Sequence, residues 1–194
     1  MPVLLHLKKV LGGSLTLRQG VKAYRWRLHK KESMVKLIEM INGKLETLEK
    51  KEALKKICVV FSIECHTFPF SIDNYWLSGF YEAEGYFHIS LTKLQCSITI
   101  SQKTPEILEK ISSHLGGVVM FDKSWQGFVL RASAKDDLFT WFKYFSRFPL
   151  KSWKNIRFIR FRRIVLFKAR GYHLSQDPVL QKRFKRSYKS FLEK

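Results

Sequence analysis

The chain repeats itself at a spacing of 104 residues. Leu11-Gly12-Gly13 falls on Leu115-Gly116-Gly117. At the same spacing Leu4 meets Leu108, Arg27 meets Arg131, Lys31 meets Lys135 and Lys50 meets Lys154. Tyr24, Trp26 and Leu28 align with Phe128, Leu130 and Ala132, and Met34, Ile38 and Ile41 with Leu138, Phe142 and Phe145. No gap is needed from Leu4 to Ile57, so whatever the second stretch folds into, the first must fold into as well.

Hydrophobic periodicity gives the shape of the repeated unit. Val3 to Leu11 predicts a helix stopped by Gly12-Gly13. Ser14 to Leu17 and Ala23 to Leu28 predict a hairpin around Gln19-Gly20. Lys31 to Ile41 has Met34, Val35, Ile38 and Ile41 on one helical face, and Leu45 to Val59 is a more polar helix. The second copy follows the same order. It has a helix from Pro105 to Leu115 and strands at Val118 to Phe121 and Phe128 to Ala132, turning near Gln126-Gly127. Helices at Ala134 to Phe145 and Ser152 to Ala169 complete it. Two strands, Tyr86 to Leu91 and Gln95 to Gln102, and one more helix precede it. Asp177-Pro178, a good N-cap followed by a first-turn proline, opens a last helix with Leu180, Phe184, Tyr188 and Phe191 as its stripe.

The helix before those two strands holds Leu77 to Gly85, LSGFYEAEG. Asn74 is a candidate N-cap, and Gly85 is expected to end the helix and let the chain turn into a strand. Gly79 and Ala83 are four apart and share a face with Ser78 beside them. Such a face lets a second helix approach backbone to backbone. Glu82 and Glu84 sit at the end of the helix, where that approach would bring two copies together.

This stretch resembles the LAGLIDADG motif of homing endonucleases and their RNA-splicing relatives, the maturases. Leu77, Gly79, Ala83 and Gly85 match letter for letter, and Glu82 and Glu84 stand for the two acids. Gly116-Gly117 after the middle helix, Gln102-Lys103 closing the second strand, and Pro149-Leu150 followed by Lys154 are further features of the family. The resemblance implies an α+β LAGLIDADG homing-endonuclease-like fold with one complete αββαββα repeat. Before it stands the C-terminal half of another repeat, and after it a basic C-terminal helix. The boundaries expected are residues 1–60 for the partial repeat, 61–73 for a linker, 74–170 for the complete repeat and 171–194 for the basic extension. The apolar run at the N-terminus, which could pass for an import signal, is read instead as part of the repeat. A twin of Glu84 would fall before residue 1, so one motif helix is expected here, not two.

Charge bears on the partner. Lys and Arg number 36 against 16 Asp and Glu, a net charge of +20, and such a surplus on a globular chain points to a polyanion. No run of about 18 apolar residues is present, so no membrane span is expected. Cys58, Cys65 and Cys96 form neither a paired framework nor a zinc pattern. Strand alternation separates Arg25 and Arg27 from Tyr24, Trp26 and Leu28, and Arg131 from Phe128 and Leu130. In the complete repeat Phe87, Ile89 and Leu91 are expected to face the helices. Tyr86, His88 and Ser90, with Ser97, Thr99 and Ser101, would then line an open, donor-rich face able to meet phosphates and base edges. From Lys151 onward there are fourteen basic residues and two acids. The last helix adds Lys182, Arg183, Lys185, Arg186 and Lys189 to the expected nucleic-acid contacts, although a basic amphipathic helix can also lie on an acidic membrane.

The resemblance implies Glu84 as a divalent-metal ligand, usually for Mg²⁺, with Gln102 and Lys154 positioning and polarising a water for phosphodiester cleavage. Where the family carries an acid three places after that lysine, this chain has Arg157, a further expected phosphate contact. The single acid helix, Arg157 and the basic tail favour a non-cleaving structural RNA binder, maturase-like or part of an organellar ribonucleoprotein such as the ribosome. RNA is accordingly expected over DNA, with a separate chain or a ribonucleoprotein covering the motif-helix face. The alternative is a Mg²⁺-dependent DNA homing endonuclease working with a fragment that supplies the second motif helix. The family implies a mitochondrial location, with the chloroplast as alternative.

Overall fold

The computed structural model describes residues 2–90 and 94–193. They form two compact units, Met1–Ser71 and Ile72–Lys194. The first contains α1 (Pro2–Leu11), β1 (Ser14–Leu17), β2 (Tyr24–Arg27), α2 (Lys31–Ile41) and α3 (Leu48–Phe61). β1 and β2 pair antiparallel, Leu15 against Trp26 and Leu17 against Tyr24. This puts the apolar residues on one face and Arg25 and Arg27 on the other. The core of this unit is small. Ile38, Leu54 and Cys58 are buried, with Ile41, Leu45, Phe61, Ile63 and Cys65 packed around them. Leu45 belongs to this packing from the loop, and the helix begins three residues after it. Asn42 secures the segment beyond α3. Its Nδ2 donates to the Glu64 carbonyl at 2.7 Å and its Oδ1 accepts the His66 N–H at 2.8 Å.

The second unit contains α4 (Trp76–Glu84), β3 (Gly85–Ile89), β4 (Cys96–Gln102), α5 (Glu106–Leu115), β5 (Val118–Asp122), β6 (Gly127–Ala132), α6 (Lys135–Arg147), α7 (Trp153–Ala169) and α8 (Pro178–Leu192). Its four strands make one antiparallel sheet in the order β3-β4-β6-β5. Phe87, Ile89, Ile98, Ile100, Leu130 and Ala132 are all buried on one face of it. Leu91, expected to continue that row, lies outside the described residues. Against this face pack Leu108 and Ile111 of α5, Trp141 and Phe145 of α6, and Phe158 and Phe161 of α7, none more than 4% exposed. Aromatic rings close the middle, with Phe87 5.0 Å from Tyr81 and 5.1 Å from Phe161 between centroids.

The repeat seen in the sequence is present in three dimensions. α1 and α5 have the same length and begin at residues 2 and 106, β1 and β5 at 14 and 118, and α2 and α6 at 31 and 135. Gly12-Gly13 and Gly116-Gly117 all have positive φ, a conformation that glycine adopts without steric cost.

The motif helix ends where expected, with Glu84 closing it and Gly85 opening β3. Gly85 has φ −93° and ψ 154°, ordinary extended backbone, so α4 runs into β3 without a left-handed turn. The glycine is required for space, because a β-carbon there would collide with the Tyr81 ring. At the other end Asn74 Oδ1 accepts the Trp76 N–H at 2.7 Å.

A basic and acidic cluster at the end of the motif helix

The two motif acids diverge. Glu82 turns toward the start of α7, where its carboxylate accepts the N–H groups of Lys151 at 2.7 Å and Ser152 at 2.8 Å, and also the Ser152 hydroxyl. It serves as an anionic cap on the positive end of that helix. Glu84, two residues on, is exposed and makes no hydrogen bond among the described residues.

Lys154 lies between them. Its Nζ donates to the carbonyls of Tyr81 at 3.0 Å and Gly85 at 2.5 Å, across the last turn of α4. A cation there satisfies carbonyls that a helix end leaves open. Burial lowers the Lys154 pKa, and Glu82 and Glu84 offset part of that effect by favouring its charge. An ammonium has three protons, so two are spent on the α4–β3 junction and one remains to point at a bound group. The twin in the first unit, Lys50, is exposed and pairs with its neighbour Glu49 at 2.9 Å.

Gln102 ends β4. The pairing of Gly85 with Ile100 places it at the same end of the sheet, just beyond the α4–β3 junction. It is half-buried and shares the alternation of Ile98 and Ile100, the helix side, at a point where the packed core has ended. Glu84, Gln102 and Lys154 therefore gather at one corner of the unit. Among the described residues no three His, Cys, Asp or Glu side chains come together as a metal site. The fit to a divalent ion is thus partial. Glu84 offers a hard carboxylate oxygen open to solvent, whereas such an ion takes about six oxygens. The remaining donors must come from a substrate, from water or from a second acid.

Gly79 and Ala83 are exposed, and nothing lies within 4 Å of the place a Gly79 β-carbon would occupy. Ser78, expected beside them, is instead buried against α6. Its hydroxyl donates to the Phe148 carbonyl at 2.5 Å and its N–H to the Tyr144 hydroxyl at 3.1 Å.

On the open face of the sheet Tyr86, His88 and Arg131 are exposed and Ser90 is half-buried. Ser97 and Thr99 are not available there, being only 3% and 1% exposed. The register explains why. Thr99 lies between its cross-strand partners Tyr86 and Arg131, and Ser97 beside His88, and the longer side chains shut over them. Thr99 Oγ1 is left buried without a protein partner. Arg157 is not a free phosphate contact either. Its guanidinium carbon is 4.4 Å from the Phe191 ring centroid and 5.6 Å from that of Trp153, which ties α7 to α8. Lys182, Arg183, Lys185, Arg186 and Lys189 are all exposed along α8, and Arg25 and Arg27 are exposed on β2 of the first unit. The sequence reading missed the capping role of Glu82. The signal was there in Ser152, a good N-cap residue directly ahead of a helix.

A family model described as LAGLIDADG endonuclease matches residues 77–165. The intron-encoded RNA maturase bI4 of Saccharomyces cerevisiae is 33% identical over 132 residues, which are 65% of this chain and 21% of that protein. The intron-encoded DNA endonuclease ai2b of Dictyostelium discoideum is 31% identical over 164 residues, 78% of this chain and 61% of that protein. This chain therefore spans between about a fifth and three fifths of the length of these two curated relatives. Among solved structures, the archaeal intron-encoded homing endonuclease I-Vdi141I complexed with DNA superimposes with a TM-score of 0.55 at 25% identity, over 61% of this chain and 80% of that one. I-SmaMI bound to an uncleaved DNA target in the presence of calcium ions shares the fold over 100% of this chain and 85% of its own, with a TM-score of 0.70 at 17% identity. The chain belongs to the LAGLIDADG homing-endonuclease and maturase family, and its α+β fold is that family's fold. The expected preference for RNA over DNA does not stand, because solved relatives at 25% and 26% identity are a homing endonuclease and a LAGLIDADG meganuclease, both bound to DNA.

Proposed function

We propose that this chain is the DNA-binding and half-catalytic part of a divalent-metal-dependent homing endonuclease, with Mg²⁺ as the working ion. The carrying observation is the corner at the end of α4, where Lys154 is held on the carbonyls of Tyr81 and Gly85 beside the solvent-open carboxylate of Glu84. Lys154 both closes the end of the motif helix and keeps its charge beside a carboxylate open to solvent, an arrangement able to serve phosphodiester chemistry. The DNA-bound relatives support the same reading.

The residues divide the work. Glu84 would hold one side of a bound divalent ion. A bound divalent ion there would stabilise the attacking and leaving oxygens of a phosphodiester in in-line displacement. Lys154, fixed by its two carbonyl contacts, presents its remaining proton to the scissile phosphate or to the attacking water. Gln102, at the strand end, orients that water. Glu82 holds α7, and with it the Lys154 backbone, at the correct depth. Tyr86, His88 and Arg131 contact the DNA from the sheet, as do Arg25 and Arg27 from the first unit. The second acid comes from a motif helix outside these residues, carried either on another part of a longer protein or on a separate fragment. That helix would dock on the exposed Gly79 and Ala83. The intron-encoded relatives, one of them from a cox1 intron, support an organellar and specifically mitochondrial setting.

The test is Mg²⁺-dependent nicking of a plasmid library by this chain, alone and with fragments that carry a second LAGLIDADG helix. Cleavage is expected only with such a fragment, and Glu84→Gln is expected to abolish it without loss of DNA affinity. A pair that cuts equally well with Glu84→Gln would overturn the assignment.

A further inference from the structure

We infer that α8 carries a second phosphate-backbone site, on the opposite side of the unit from the sheet face and independent of it. At about 100° per residue, Lys182, Lys185, Arg186 and Lys189 fall within about 100° of one another around α8. Leu180, Phe184, Ser187 and Phe191 form the opposite stripe, and Phe184 and Phe191 are 7% and 3% exposed. All four cations are exposed, with Arg183 at their flank, and none makes a side-chain hydrogen bond or ion pair among the described residues. No acid occurs within the helix. Asp177 and Glu193 flank it, and the Asp177 carboxylate is engaged in capping, accepting the Val179 N–H at 2.8 Å.

Packing fixes the side on which this stripe lies. Phe161 of α7 sits between Phe87 of the sheet, 5.1 Å away, and Phe191 of α8, 6.1 Å away. Phe87 alternates with Tyr86 and His88 and points away from their face. α7 and α8 are therefore stacked behind the sheet, and the α8 cations face outward from that back side. A straight duplex lying on Tyr86 and Arg131 would rest on the opposite face of the sheet. The stripe from Lys182 to Lys189 is about 10 Å long at 1.5 Å per residue. That covers about three base-pair steps of a duplex backbone at 3.4 Å each.

The chemistry selects nucleic acid over a lipid surface. An interfacial helix needs an apolar face to bury among the acyl chains, and on α8 that face is already spent on α7. Arg157 against Phe191 and Arg160, whose guanidinium donates to the Ser190 carbonyl at 2.6 Å, lock it there. What remains is charge alone, suited to a repeating phosphate. The inference stands whether or not the α4 corner cleaves.

The test uses the full chain and a fluorescein-labelled 30-base-pair duplex of arbitrary sequence. Anisotropy is read as a function of KCl, and the number of duplexes bound per chain at low salt by sedimentation. The unmodified chain should bind two duplexes. Replacing Lys182, Lys185, Arg186 and Lys189 with Ala should leave one and lower the log–log salt slope by about 3 to 4, or about one per phosphate contact removed. Single substitutions, each lowering the slope by about one, guard against misfolding of the fourfold variant. Arg131→Ala with Tyr86→Ala should remove the other duplex and leave the α8 contribution in place. That separates failure of the sheet-face reading from failure of this one. An unchanged slope and stoichiometry in the fourfold variant would overturn the site. So would a loss confined to binding of phosphatidylserine vesicles, which would assign the stripe to a membrane.

Discussion

Ser152 and Glu82, seventy residues apart, are joined by two hydrogen bonds to one carboxylate, from the Ser152 N–H at 2.8 Å and from its hydroxyl. The Lys151 N–H adds a third at 2.7 Å. The C-terminal end of the motif helix is thereby bound to the N-terminal end of α7, the helix that carries Lys154. Fold and candidate chemistry share one side chain.

Glu82→Gln keeps the shape of that side chain and removes its charge. Hydrogen bonds to a charged group contribute about 1.5–3 kcal/mol, and a chain of this size loses about 2–4 °C in Tm per kcal/mol. Thermal denaturation of Glu82→Gln should therefore show a fall of roughly 3–12 °C. Glu84→Gln, at an exposed and unbonded position, should melt within about 2 °C of the unmodified chain. Equal losses in the two variants would contradict the division of roles.

Lys154 titrates below the ordinary lysine value because burial outweighs the pull of Glu82 and Glu84. The native chain thus gives up this proton before the unfolded chain does. The stabilising contribution is complete above the unfolded lysine pKa and is lost as pH falls through the folded one. Glu84→Gln takes away one of the two offsetting charges, so the Lys154 pKa should drop further and that window should open at lower pH. Titration of the Lys154 Cε and Nζ resonances by NMR reads this directly. An upward move would contradict the geometry.

Arg157→Ala removes the guanidinium from between Trp153 and Phe191. A cation–π contact of this kind contributes about 0.5–2 kcal/mol. Hydrogen exchange across α8 should accelerate by about 2- to 30-fold, with the sheet unchanged. If α8 keeps its protection, its attachment rests on Phe184, Phe191 and the Arg160 hydrogen bonds to the Ser190 and Glu193 carbonyls.

Burial pushes the Cys96 thiol up to about 11, against a smaller opposing effect of Lys168, and Cys58 is raised as well. Both are buried, whereas Cys65 is half-buried. At pH 8 a thiol reagent should label Cys65 first and Cys96 only on unfolding, since the thiolate is the reacting form. Mass spectrometry of partly labelled protein gives the order.

The sequence carried the fold well because its signals were redundant. Periodicity, paired glycines and a repeat at fixed spacing all point to the same elements, and the boundaries shift mostly by only one to three residues. It carried the site less well. Alternation put Ser97 and Thr99 on the open face, but accessibility depends on the cross-strand neighbours Tyr86, Arg131 and His88, which only the register supplies. Arg157 reads as a phosphate ligand from its charge and its place after Lys154, but its partner Phe191 lies thirty-four residues later, beyond any local pattern. Gly85 ends the helix and opens the strand as its residue type implies, but the close approach of the Tyr81 ring, which demands a glycine there, is visible only in three dimensions.

The wedge of Phe161 between Phe87 and Phe191 has a consequence for how such a chain can change over generations. The residues that attach α8 and those that give it charge occupy opposite stripes. Lysines and arginines on the outer stripe can be gained or lost without disturbing the inner one. Grip on a polyanion can then drift, strengthen or vanish under selection while the folded body beneath it stays the same.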